Sequence, residues 1–169
     1  MENVLVAVFD SDVRAHEAAH ALESMFDAGV IRLTASAIVT KSPGGAITVT
    51  QAYQPSPQNT LGASAVGILI GMLAGTIGLA IGFATGLIVG STTDMFYLKL
   101  GRDFLADVER ALEPGKAALV AQIYEEQTGP VDERMAALGG VVLRRTLRDL
   151  ADDEYQKIVA AAARRLTRA

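Results

Sequence analysis

The sequence predicts an α+β fold, a ferredoxin-like sandwich in which two strand-helix-strand units share one sheet and a glycine-rich helical hairpin is inserted between them. Three observations lead there. Apolar residues recur with strand and helix periodicity at both ends of the chain, the two ends echo each other, and no charged residue occurs from Thr60 to Thr93. The expected divisions are residues 1–55 for the first half of the domain, 60–94 for the insert, and 98–169 for the second half with a C-terminal helix.

Val4 to Phe9 is an unbroken apolar run and reads as a buried strand, with Asp10-Ser11-Asp12 capping a helix from about Asp12 to Ala28. Ala15, Ala18, Ala19, Leu22, Met25 and Phe26 share one face of that helix, and Gly29 closes it. Alternating apolar residues from Ile31 to Val39 predict a half-buried strand. The Lys41-Ser42-Pro43-Gly44-Gly45 turn leads to a second alternating run, Ile47 to Tyr53. Beyond the insert, Lys99 to Leu112 reads as an amphipathic helix and Ala117 to Tyr124 as a strand. Asp132 to Leu138 is a short helix, Val141 to Leu143 a strand, and about Leu150 to Leu166 a final helix. LVAVFD followed by ALESMFDAGVIRLT resembles LVAQIYE followed by ERMAALGGVVLRRT. Two such units make one twisted sheet with helices on one face.

In the insert, Gly67, Gly71, Gly75, Gly78, Gly82, Gly86 and Gly90 are spaced by 4, 4, 3, 4, 4 and 4 residues, near one helical stripe. Glycine costs about 1 kcal/mol inside a helix relative to alanine, so the stripe needs a packing partner that uses the close approach it permits. The other faces carry Ile, Leu, Met and Phe, and a helix apolar all round belongs in lipid or deep in protein. The flanking halves look built to share one core, so the insert is expected to leave and return on the same side. Each arm of such a hairpin would have about 14 to 16 residues, roughly 21 to 24 Å, shorter than the ~30 Å hydrocarbon core. Two placements follow: a re-entrant or monotopic anchor in a membrane, or hairpins of several protomers packed together away from lipid. Tyr53, Tyr97 and Lys99 are a meagre interfacial belt.

Composition narrows the chemistry. Half of the 169 residues are apolar, enough for a core, and only 5% are aromatic, which suits close helix packing better than a ring-lined pocket. A net charge of −4 argues against nucleic acid. The basic clusters Arg144, Arg145, Arg148 and Arg164, Arg165, Arg168 read as solvated helix faces. Without cysteine there is no disulfide or thiolate site. The N-terminal segment has no basic n-region, so the chain ends are expected to be cytoplasmic.

His16-Glu17-Ala18-Ala19-His20 matches H-E-x-x-H on a helix, the arrangement that places two imidazoles one turn apart with a glutamate base. His16 and His20 are the only histidines and point away from the Leu22 face, so the match reads as exposed helix polarity and they are weak metal candidates. No P-loop occurs, and the insert glycines do not follow a strand as a dinucleotide site requires. The acidic run Asp149, Asp152, Asp153 and Glu154 complements a helix dipole. No catalytic residue, cofactor or small-molecule substrate is indicated.

GVIRLTASAIVTKSPGGAITVTQ, the long GxxxG segment, LEPGKAALVA and LGGVVLRRTL together resemble a bacterial and archaeal family labelled predicted membrane protein, of unknown function. The resemblance covers nearly the whole chain. It implies a glycine-zipper insert in a ferredoxin-like domain, with loose stress-related labels in some relatives, and carries over no catalytic residues. The expectation is therefore a non-enzymatic homo-oligomer at the inner face of the cell membrane. The alternative is a soluble oligomeric binding or sensory domain whose hairpins pack on each other.

Overall fold

Five strands form a single antiparallel sheet whose strand order interleaves the two ends of the chain. The computed structural model describes residues 1–55, 65–67, 69–74 and 102–147. Its elements are β1 (Glu2–Phe9), α1 (Asp12–Asp27), β2 (Arg32–Lys41), β3 (Ile47–Tyr53), α2 (Arg102–Ala111), β4 (Ala117–Tyr124), α3 (Gly129–Ala137) and β5 (Val141–Thr146). Across the sheet they run β3-β2-β4-β1-β5. The last four follow the ferredoxin-like order, and β3 extends the sheet as a hairpin partner of β2.

Local sequence accounts for the boundaries. The Ser11 side chain accepts the Arg14 amide and caps α1. At the other end Gly29, at φ +72°, lets its own amide bond to the Phe26 carbonyl and that of Val30 to Met25. That pair of bonds is a Schellman closure. The predicted strands and the first helix are present at the expected positions. The expected helix from Lys99 is described from Arg102, β5 extends to Thr146, and the expected helix of Leu150 to Leu166 lies outside the described residues.

Both faces of the sheet are covered, where the sequence suggested helices on one. On the first face Leu5, Ala7 and Phe9 of β1 and Leu119, Ala121 and Ile123 of β4 pack with Ala15, Ala18 and Leu22 of α1 and Val131 and Met135 of α3. The alternate residues Val4, Val6 and Val8, with Ala118 and Val120, form a second core with Val66, Leu69 and Met72 from the insert and Phe104, Val108 and Leu112 from α2 and its end. This explains the unbroken apolar run of β1, since alternation disappears when both faces are buried. In β2 a bulge between Leu33 and Ala35 shifts the alternation, so Leu33 joins the first core while Ala35, Ala37 and Val39 join the second.

Among the described glycines the tightest approach is at Gly140, ahead of β5. A Cβ there would lie 2.5 Å from the ring of buried Phe9 and 3.1 Å from the Met135 carbonyl. Gly140→Ala is expected to lower unfolding free energy by about 1–3 kcal/mol through overpacking, and Phe9→Leu in the same chain to recover part of that loss. Denaturant titration of the single and double variants checks it.

Candidate functional site

The described part of the insert presents two different sides. Residues 65–67 and 69–74 are helical. At about 100° per residue, Val66, Leu69 and Met72 form one stripe, and these are the residues buried on the second face of the sheet. Gly67 and Gly71 fall on the opposite side. Gly71 is exposed, and a Cβ built on it meets nothing within 4 Å. Packing on the sheet therefore does not use Gly71. Gly75, Gly78, Gly82, Gly86 and Gly90 lie outside the described residues.

A polar bond fixes where this helix meets the sheet. Gln122 stands in β4 on the face whose neighbours are Ala118 and Val120. Its Oε1 accepts the Ala65 amide at 3.1 Å, and its Nε2 donates to Glu2 Oε1 at 2.7 Å. An amide side chain supplies both an acceptor and a donor, so one residue ties the insert to β4 and, through Glu2, to β1.

A second polar group lies at the same end of the sheet on the other face. Glu125, only 1% exposed, follows β4. Asn3 Nδ2 donates to Glu125 Oε1 at 2.8 Å, and Arg144 Nε lies 2.7 Å from that oxygen. Arg144 Nη2 is 2.7 Å from Asp132 Oδ1 near the start of α3. One guanidinium thus joins β5, the end of β4 and α3. The sequence reading of Arg144 and Arg145 as a solvated helix face is corrected here. Both are on strand β5, and successive strand residues point to opposite faces. Arg144 therefore reaches buried Glu125, while Arg145 has no ion pair among the described residues and its buried Nε has no hydrogen-bond partner.

The histidine motif lies on the outer side of α1. His16 Nδ1 is 2.9 Å from the Asp12 carbonyl oxygen and 3.4 Å from its carboxylate. His20, mostly exposed, lies 3.8 Å from Glu23. Glu17 is engaged by Arg14 at 3.0 Å. Among the described residues no group of three His, Cys, Asp or Glu side chains is arranged to hold a metal. Asn3, Gln122 and Glu125, which organise the polar contacts, belong to no pattern visible in the sequence. The one available signal was a glutamine and an asparagine interrupting otherwise apolar strands.

Interleaved strands and two covered faces, the second bearing the first helix of the insert, define a ferredoxin-like α+β domain elaborated by an insertion. The chain belongs to the family described as protein of unknown function, DUF1269, whose model matches residues 60–160, the insert and most of the second half. No curated protein and no solved structure gives a significant match. Among the described residues no helix is long and apolar enough to cross a membrane.

The Glu125 cluster makes a stability prediction. Arg144→Leu strands a buried carboxylate and is expected to cost about 3–5 kcal/mol, whereas Arg145→Leu removes a guanidinium with no ion pair among the described residues and should cost under about 1 kcal/mol. Chemical denaturation of the two variants, side by side, tests the contrast. Equal losses would contradict it.

Proposed function

We propose that this protein is a non-enzymatic, self-assembling protein whose glycine-rich insert is its working surface, holding the domain at the inner face of the cell membrane. The observation that carries the reading is the division of the insert's first helix. Its aliphatic stripe is spent on the domain's own sheet, and on the opposite side Gly71 is exposed with nothing within 4 Å of a Cβ placed on it. Glycine inside a helix is unfavourable unless a close neighbour makes use of it. An outward glycine at position 71, within a segment that has no charge from Thr60 to Thr93, therefore calls for an apolar partner. Lipid and a second insert both meet that requirement.

The anchoring and the self-association are separable. The outward position of Gly71 favours helix-to-helix contact, because lipid chains do not require a stripe of hydrogens to pack. This supports a second reading in which the protein is a soluble oligomeric binding or sensory domain, its inserts packed on one another without a bilayer.

Cell fractionation distinguishes the two. Membrane-bound protein released by detergent and not by high salt is expected, and protein wholly in the soluble fraction would remove the anchoring. Replacing Gly71, Gly75, Gly82 and Gly86 together with Leu should reduce the particle to a smaller species by light scattering in detergent. An unchanged particle would exclude the glycine stripe as the assembly contact.

A further inference from the structure

We propose that β3 is a separate self-association surface, pairing antiparallel with β3 of a second copy across a two-fold axis so that the two sheets continue into one. Among the described strands β3 has a single neighbour, β2, so one side of its backbone has no ladder partner. Its sequence, ITVTQAY, is rich in β-branched residues and carries neither charge nor proline. Thr48, Val49, Thr50 and Ala52 are exposed, Val49 by 44%. Protein sheets usually guard such edges with lysine, proline or inward charges. The opposite edge follows that rule, since β5 carries Arg144 and Arg145. β3 does not.

The asymmetry selects the occupant. Pairing β3 with β5 of another copy would be head-to-tail and would grow into an open chain. Pairing β3 with β3 is self-complementary and closes at two copies, and an uncharged strand meets its twin without repulsion. One device tempers the edge. A bulge at the Ile38/Val39 step leaves Thr50 without a ladder partner, and its hydroxyl donates to the Ile38 carbonyl at 3.5 Å. Bulges add twist and interrupt pairing, so the contact is short and readily reversed. Its residues are also different from the insert's glycines.

The absence of cysteine makes the test direct. Thr48→Cys, Val49→Cys, Thr50→Cys and Ala52→Cys are made singly in the full chain, with Val141→Cys, on the exposed edge of β5, as the control. Paired antiparallel residues lie about 4.5–5.5 Å apart at Cα, within reach of a disulfide. Under mild oxidation in detergent, the dimer yield should peak at one or two neighbouring β3 positions, several-fold above Val141→Cys. The peak should survive in the background carrying Leu at Gly71, Gly75, Gly82 and Gly86, and Val49→Lys should suppress the Thr48→Cys and Thr50→Cys dimers several-fold. Equal yields at all positions, or yields no higher than the control, would overturn the proposal. A peak that vanishes with the glycine replacements would overturn its independence from the insert. Conversely, an intact glycine-dependent particle with no β3 peak would leave the proposed function standing and this surface refuted.

Discussion

The antiparallel ladder between β1 and β4 is the contact on which the rest of the molecule depends. It runs from Glu2 opposite Tyr124 to Phe9 opposite Ala117, joining segments more than a hundred residues apart. β1 has no partner from its own half of the chain, because its neighbours are β4 and β5. β4 in turn lies between β1 and β2. Neither strand-helix-strand unit therefore forms a sheet alone, and each supplies the hydrogen-bonding partners that the other lacks. A strand as apolar as β1 leaves no tolerable state in which those amides and carbonyls are buried and unpaired. The long-range closure is slow to achieve in chain-entropy terms, and the two cores are its compensation.

Those two cores are not equivalent. The first is the ordinary interior of the domain, with α1 and α3 over Leu5, Phe9, Leu119 and Ile123. The second is built on small and β-branched side chains, Val4, Val6, Val8, Ala35, Ala37 and Val120, and its cover comes from the two flanks of the insertion. A flat valine-alanine surface admits a helix closely. Gln122 then sets the position of that helix through one amide hydrogen bond, while Glu2 keeps the glutamine oriented. The first helix of the insertion is thus part of the fold. On that helix Val66, Leu69 and Met72 lie on one side, and Gly67 and Gly71 on the other.

Much of this was legible in the chain beforehand. The unbroken run Val4 to Phe9, the alternation from Ile31, the Ser11 cap and Gly29 each name their element, because local pattern and final environment agree there. The echo between the two halves disclosed the shared sheet. The second covered face was harder to see, since Val66, Leu69 and Met72 sit in a segment apolar on every side and nothing local distinguishes the stripe that meets the sheet. Arg144 departs from its expected place for a related reason. Two adjacent arginines resemble a solvated run, and only the strand geometry of β5 sends one of them inward to Glu125. Gln122 and Asn3 act through partners distant in sequence, and no spacing rule announces such pairs. The solvent side of His16 and His20 did follow from helical periodicity alone.

Both flanks of the insertion are moored on the same sheet face, at Val66, Leu69 and Met72 on one side and at Phe104, Val108 and Leu112 on the other. For the domain, the intervening stretch is a closed loop with fixed ends. Loop closure depends only logarithmically on length, about 0.6 kcal/mol for each doubling of a flexible loop. A change in the length of what lies between those moorings therefore carries a small thermodynamic cost to the sheet beneath.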